Sequence, residues 1–491
     1  MALDRRELLK LGLLSTLAPA AAPQRTSAMP LSGREQQNQT RADYTIRIAT
    51  GLVELGPDKI VSTTLYNGQF PGELLRFHEG TPVTIDIRND TDTPEQLHWH
   101  GQAVPADVDG AAEEGSPFIP PHGSRRITFT PGPSGFRFYH THVHAGADLA
   151  KGQYGGQVGP VYIEPKQHAG DYDREVFLVL KEFSPALSRG GDMAMNFLAP
   201  AAKVKGLEDA GESSMKASLA SGKAHGYEVG YDLFSINGRM LGHGDPIRVK
   251  SGERVLLHVL NGSATEIRSL ALPGHTFRVV ALDGNPVPTP LDVPVLWIGT
   301  AERVSAIVQM RNPGVWILGD TSDDDRKHGM GVAVEYAGHK GKALWTAPKP
   351  FHWDYTRFGA SAEAARPDET ITLTFAKNNA AADGFNQWTI NGKAFSMDEP
   401  TRLARLQQGR RYRLHMRNAS DDIHPIHLHR HTFELTSVAG RKTSGVMKDV
   451  VMVGGYQEVD VDFVANNPGL TLFHCHQQLH MDFGFMGVFE Y

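Results

Sequence analysis

The stretch Gly409-Arg410-Arg411-Tyr412-Arg413-Leu414-His415-Met416-Arg417-Asn418 alternates polar and apolar side chains with a period of two. That period belongs to a β-strand, in which successive side chains point to opposite faces. Turn signals bracket it: Ile390-Asn391-Gly392 lies upstream, Gly409 opens the strand and Asn418 ends it. The same arrangement occurs twice more. Ile236-Asn237-Gly238 leads into Gly252-Glu253-Arg254-Val255-Leu256-Leu257-His258-Val259-Leu260-Asn261. Asn67-Gly68-Gln69-Phe70-Pro71-Gly72 leads into Gly80-Thr81-Pro82-Val83-Thr84-Ile85-Asp86-Ile87-Arg88-Asn89. The copies also close alike, on Gly135-Phe136-Arg137-Phe138-Tyr139-His140-Thr141-His142, Gly314-Val315-Trp316-Ile317-Leu318-Gly319-Asp320 and Gly469-Leu470-Thr471-Leu472-Phe473-His474-Cys475-His476. Repeats at this spacing predict an all-β chain of three β-sandwich domains. His258 and His415 hold equivalent places inside the repeated strands and read as structural.

Length agrees: 491 residues at roughly 150 per domain also give three. The 51 Gly and 30 Pro supply turn punctuation for many short strands. Hydrophobic residues at 40% and charged residues at 21% exclude a disordered or fibrous chain. A net charge of −6 gives no electrostatic pull toward nucleic acid or an anionic membrane surface. A single cysteine excludes an intrachain disulfide and leaves that residue to act as a thiolate.

At the N-terminus, Asp4-Arg5-Arg6-Glu7-Leu8-Leu9-Lys10 precedes an apolar run, Leu11 to Leu17, and then Ala18-Pro19-Ala20. The run is too short to span a bilayer, and no other stretch reaches the ~18 apolar residues of a membrane helix. The pattern resembles a twin-arginine signal, with which bacteria export folded, often cofactor-loaded proteins. The expected division is a leader over 1–41, a first domain over 42–168, a second over 169–340, and a linker plus third domain over 341–491. Residues 184–232 read as a long loop or short helical insertion in the second domain, and 338–368 as the linker. The run Gly152-Gln153-Tyr154-Gly155-Gly156-Gln157-Val158-Gly159 lacks the Lys-Ser/Thr and helix of a phosphate loop, so it reads as a turn before a strand.

Four short windows gather the chemistry: His98-Trp99-His100, His140-Thr141-His142-Val143-His144, His424 through His431, and His474-Cys475-His476 with His480. In an extended strand, each His-x-His pair aims two imidazoles at one point. The pairs 98/100, 140/142, 427/429 and 474/476 thus supply eight imidazoles from the first and third domains. One zinc ion takes four ligands in all, so eight exceed its need. Imidazole suits copper, zinc, iron or nickel. Cys475 points away from the face shared by His474 and His476, so it serves a second site with His424 and His480. His, Cys and His with a weak or absent axial ligand is the blue-copper arrangement. The thiolate then lies a few covalent bonds from both neighbouring histidines, a wire for electrons.

These four motifs, with His98-Trp99-His100-Gly101, His424-Pro425-Ile426-His427-Leu428-His429 and His474-Cys475-His476-x-x-x-His480 among them, resemble those of the three-domain, laccase-like multicopper oxidases over nearly the whole mature chain. The resemblance implies three cupredoxin-like Greek-key sandwiches and four copper ions. A type 1 copper would take His424, Cys475 and His480. A type 2 copper would take His98 and His427. The type 3 pair would take His100, His140 and His476 on one ion and His142, His429 and His474 on the other. His144 and His431 fall outside these roles.

Two departures stand out. The family's axial position falls on Phe485, which cannot coordinate and should raise the potential; Met486 reaches it only through a bulge. The acid that follows the last histidine in bacterial relatives is replaced by Met481, with Asp482 one later. Asp109 matches the family's proton-relay acid, although an Asp-Gly turn would look the same. The implied activity is oxidation of phenols or aromatic amines, one electron at a time, coupled to reduction of dioxygen to water. Cys475, His474, His476 and Asp109 would carry that chemistry. A metallo-oxidase acting on Cu(I) or Fe(II) is the alternative, with Asp192-Met193-Ala194-Met195 as its thin support; a non-catalytic envelope scaffold is a third. The protein is expected to be a periplasmic or secreted monomer without a membrane span.

Overall fold

The computed structural model describes residues 41–166, 171–188, 196–223 and 225–491. The leader with its paired arginines, and Asp192-Met193-Ala194-Met195, lie outside them. Six sheets form three cupredoxin-like sandwiches. The first packs the sheet holding Tyr44–Gly56 and Val83–Asn89 against one holding Gly135–His140 and His98–His100. The second and third each pair a six-stranded with a five-stranded sheet. The second and third share one continuous apolar core, while the first has its own.

The repeat seen in sequence is a repeat in register. Val83–Asn89 runs parallel to Tyr44–Gly56, Arg254–Asn261 to Arg174–Ser188, and Arg411–Asn418 to Glu369–Ala382. Asn67, Asn237 and Asn391 take φ of 52°, 52° and 51°, and the glycine after each takes 70°, 74° and 78°. Two successive left-handed residues make the hairpin turn that Asn-Gly favours. The Asn side chains accept from the backbone N–H of Arg47, Val179 and Thr374 at 2.7, 2.8 and 2.8 Å, tying each turn to the strand beside it.

The asparagine that ends each repeat is fully buried. Asn89 donates to the carbonyl of Thr93, Asn261 to that of Glu266 and Asn418 to that of Asp422, each at 2.8 Å. These amides satisfy loop carbonyls that would otherwise be buried without a partner.

Two stretches carry more structure than their reading in sequence, the first of them including the helix expected there. Strand Arg174–Ser188 runs into the segment read as an insertion, and Glu228–Ile236 begins inside it. Between them, helix Lys205–Ala220 lies against strand Glu369–Ala382 of the third sandwich. Leu207 packs on Ala419 and Tyr456, and the approach is so close that a Cβ on Gly211 would sit 2.5 Å from the Ala419 carbonyl oxygen. The stretch read as a linker is anchored, with Trp353, Tyr355 and Phe358 each 1% exposed. The Gly-rich run is a short 3-10 turn, Gly152–Tyr154, before strand Val158–Glu164.

Candidate metal centre

Strand pairing brings the histidine pairs together. His98–His100 lies antiparallel to Gly135–His140 with His98 opposite His140. His424–Leu428 lies antiparallel to Thr471–Cys475, with His427 opposite His474 and Ile426 opposite Cys475. All eight imidazoles of the His-x-His pairs are buried. Their ring nitrogens gather in groups whose members lie within 4.8 Å of one another: His100, His140 and His476; His142, His429 and His474; His98, His100 and His427. The rings of His100 and His427 stack at 3.8 Å, and those of His98 and His429 at 4.0 Å.

The nitrogens are prepared for metal. Nδ1 of His98, His140, His427 and His474 faces the backbone oxygen of Asp109, Thr141, Asp449 and Cys475 at 3.0, 2.7, 2.7 and 2.8 Å. Those carbonyls hold the proton on Nδ1 and turn Nε2 inward. Nε2 of His98 and His427, and both ring nitrogens of His142 and His476, have no hydrogen-bond partner. Buried polar atoms rarely stay unsatisfied, so facing lone pairs without partners fit a set of bound cations. Burial, reinforced by the neighbouring imidazoles, holds His100, His140, His427, His429, His474 and His476 well below the usual imidazole range. The rings are therefore neutral and able to ligate.

Acids hidden in the surrounding wall steady these rings, and of these the sequence marked Asp109 and Asp482 but not Glu113 or Glu114. Asp109 Oδ2 lies 2.8 Å from His429 Nδ1 and 3.2 Å from His98 Nδ1, while Oδ1 has no hydrogen-bond partner. Its turn depends on Gly110, at φ 88°, where a Cβ would stand 1.9 Å from the Leu97 carbonyl oxygen. Glu114 reaches His429 Nδ1 at 3.6 Å and pairs with Arg430 at 3.2 Å. Glu113 lies 3.5 Å from His142 Nδ1 and 2.5 Å from His144 Nε2, bordering a cavity of about 720 Å³. Asp482 accepts from the N–H of Ala145 and Gly146 at 3.0 and 2.8 Å; burial pushes it up to about 6. His431 is held between the His429 carbonyl and the Tyr491 hydroxyl. His258 and His415 sit on strands away from both centres, bonded to Ser305 and Asp460.

The second centre lies inside the third sandwich. Cys475 Sγ is 3.8 Å from His424 Nδ1 and 3.5 Å from His480 Nδ1, and those two nitrogens are 3.2 Å apart. All three residues are buried. Ser420 Oγ takes the far nitrogen of His424 at 2.9 Å, and Trp388 stacks on His480 at 4.0 Å. Burial pushes the Cys475 thiol up, so a bound metal would have to displace its proton. Phe485 presses its ring on His424 at 4.8 Å. Met486 and Met481 instead pack with Ala111, Phe395, Leu472 and Val488 in a separate cluster.

Three family profiles, each described as multicopper oxidase, match residues 50–168, 208–335 and 363–491. The chain belongs to the multicopper oxidases. It is similar to the multicopper oxidase MmcO of Mycobacterium tuberculosis, 28% identical with 99% of this chain and 96% of that protein covered. Laccase-3 of Thanatephorus cucumeris is 24% identical over 91% of this chain and 90% of its own. A multicopper oxidase crystal structure from Pseudomonas thermotolerans superposes with a TM-score of 0.66 at 24% identity, covering 92% of this chain and all of that one. The oxidase is thus a copper-dependent oxidoreductase that uses dioxygen and a reducing substrate. Among the described residues no helix is long and apolar enough to cross a membrane.

Proposed function

We propose that the oxidase is of the laccase type, taking single electrons from phenols or aromatic amines. The observation that carries this reading is the position of Cys475: its sulfur faces His424 and His480 while its chain neighbours His474 and His476 belong to two different histidine groups. In this reading His424, Cys475 and His480 hold the type 1 copper, and His98 and His427 the type 2. His100, His140 and His476 hold one type 3 ion, and His142, His429 and His474 the other. Copper, when bound, supplies one-electron acceptance at the thiolate and reduction of dioxygen between the sandwiches. The chain's part is to hold the imidazoles, exclude water and move protons. Cys475 links the two centres covalently. Asp109 orients His98 and His429 through Oδ2 and has Oδ1 free to relay a proton.

Phe485 packs on His424 and brings no donor atom, which would favour a high copper potential suited to phenols. A metallo-oxidase for Cu(I) or Fe(II) has one observation in its favour: Asp422, which accepts from Trp388 Nε1 at 3.4 Å beside His480, has Asp421 and Glu228 as acidic neighbours. Lys377, however, pairs with both aspartates at 2.8 Å, and burial beside Asp422 pushes Glu228 up to about 8, leaving it protonated at neutral pH. Neither arrangement leaves an open anionic seat for a metal substrate.

Residues 1–41 form a twin-arginine leader recognised by that export machinery, and the mature protein works as a periplasmic or secreted monomer. Residues 42–168, 169–340 and 341–491 are its three domains. Oxygen uptake by the copper-loaded protein tests the activity, with a simple phenol in one arm and Cu(I) in the other. Uptake with phenol, without accumulated peroxide, is expected; uptake with Cu(I) alone would transfer the reading to the metallo-oxidase.

A further inference from the structure

Among the described residues the second sandwich supplies no histidine to either centre, yet one of its arginines is aimed at the histidine groups. Arg303 is fully buried, and all five of its N–H donors are placed. Nη1 donates to Asp449 Oδ1 at 2.6 Å and to the Ala301 carbonyl at 3.0 Å. Nη2 donates to Asp449 Oδ2 at 2.5 Å and to the Asp283 carbonyl at 3.2 Å, and Nε to the Phe136 carbonyl at 3.4 Å. The bidentate fork fixes the Asp449 carboxylate in plane and position. Arg137 of the first sandwich adds a contact to Asp449 Oδ2 at 3.3 Å. One carboxylate of the third sandwich is therefore held by guanidinium groups from the other two.

Asp449 in turn touches two rings of the cluster. Its Oδ1 lies 3.1 Å from His100 Nε2, and its backbone oxygen takes His427 Nδ1 at 2.7 Å. His100 is thereby unlike His98, His140, His427 and His474, each of which has Nδ1 on a backbone oxygen and so keeps its lone pair on Nε2. A carboxylate on Nε2 keeps the proton there and leaves the lone pair of His100 on Nδ1, which faces His140 Nε2 at 3.4 Å.

We infer that Arg303 and Asp449 are positioning residues of the histidine cluster: the pair sets the reversed tautomer of His100 and the orientation of His427, and so makes the ligand-free second sandwich part of the oxygen-reducing centre. The inference rests on the proposal that these histidines bind copper. Without Arg303 the second sandwich would keep its own core and the third its Cys475 centre, while the cluster would loosen.

The test uses the copper-loaded full chain and its Arg303→Lys, Arg303→Gln and Asp449→Asn variants, challenged with a chelator. Blue thiolate absorption follows the Cys475 centre, and the type 2 signal in electron paramagnetic resonance follows the cluster. Arg268→Gln is the control, since Arg268 is equally buried in the same sandwich but pairs with Glu182 and Asp325. Asp449→Asn and Arg303→Gln should release cluster copper at ~10–100-fold lower chelator concentration, with Arg303→Lys between them and the parent. Blue absorption should stay at parental strength throughout, and Arg268→Gln should change neither signal. Equal retention by every variant, or parallel loss of both signals in Asp449→Asn, overturns the inference. If Arg303→Gln fails to fold, Asp449→Asn and Arg303→Lys decide. A parent with the blue absorption but no type 2 signal would instead overturn the copper assignment beneath it.

Discussion

The two centres are built in opposite ways. The Cys475 centre draws every member from the third sandwich, on strands His424–Leu428 and Thr471–Cys475 and the short helix Gln478–Asp482 that follows. The histidine groups draw half their members from the first sandwich and half from the third, and lean on Arg303 of the second. A centre inside one sandwich is fixed by strand register, which a single domain's core enforces. A centre between sandwiches is fixed by buried polar links, whose loss leaves a partner uncompensated in a dry interface. Damage should therefore separate: changes in the links should reach the cluster and spare the thiolate.

The largest expected effect breaks the bridge between the centres. Cys475→Ser should abolish blue absorption and reduce phenol-driven oxygen uptake to the level of copper-free protein, while the type 2 signal persists. Loss of both signals together would mean that the centres are not independently built. Next comes Asp109→Asn, which keeps the shape beside His98 and His429 but removes the acid. Turnover should fall ~10²–10⁴-fold, the usual contribution of a positioned proton donor, with the blue spectrum unchanged; an unaltered turnover number would remove Asp109 from proton transfer.

A matched pair of asparagines gives a smaller and cleaner contrast. Asn261→Ala and Asn418→Ala remove the same buried amide from the second and third sandwiches, and each should cost ~1–3 kcal/mol in denaturant unfolding. Only Asn418→Ala should also shift the blue spectrum, because Asn418 Oδ1 accepts from Ser420 Oγ at 2.8 Å and Ser420 holds His424. Equal spectra would show that the thiolate centre does not depend on this repeat.

A last contrast, which leaves both centres untouched, concerns pH. Glu228 is raised to about 8 by burial and the charge of Asp422, against an ordinary carboxylate value of 4.5. Between those limits the unfolded chain has released a proton that the folded chain keeps. Stability therefore falls as pH rises through this window and levels off above it. Glu228→Gln should flatten that fall, gaining on the parent up to about pH 8. A parallel pH profile for the two proteins would assign the slope to other groups.

Much of this was readable in the chain. Asn67-Gly68, Asn237-Gly238 and Asn391-Gly392 mark turns that only residues tolerant of positive φ can make, and the His-x-His spacing follows from the pleat. Even the strand-ending asparagines stood out, although their shared duty as buried caps did not. Asp449, Glu113 and Glu114 carried no local sign, since a carboxylate's burial is decided by partners remote in the chain, 31 residues away for Glu113 and His144 and 349 for Asp449 and His100. The docking of helix Lys205–Ala220 on the third sandwich was equally hidden: its Gly, Ser and Ala residues have no apolar periodicity to name a neighbour.

The most direct test is anomalous diffraction from crystals of the copper-loaded protein, recorded at the copper edge. One peak within bonding reach of Cys475 Sγ, His424 and His480, and three more among the imidazoles between the first and third sandwiches, are expected. Copper at the thiolate with nothing bound among His98, His100, His140, His142, His427, His429, His474 and His476 would contradict the two-centre oxidase.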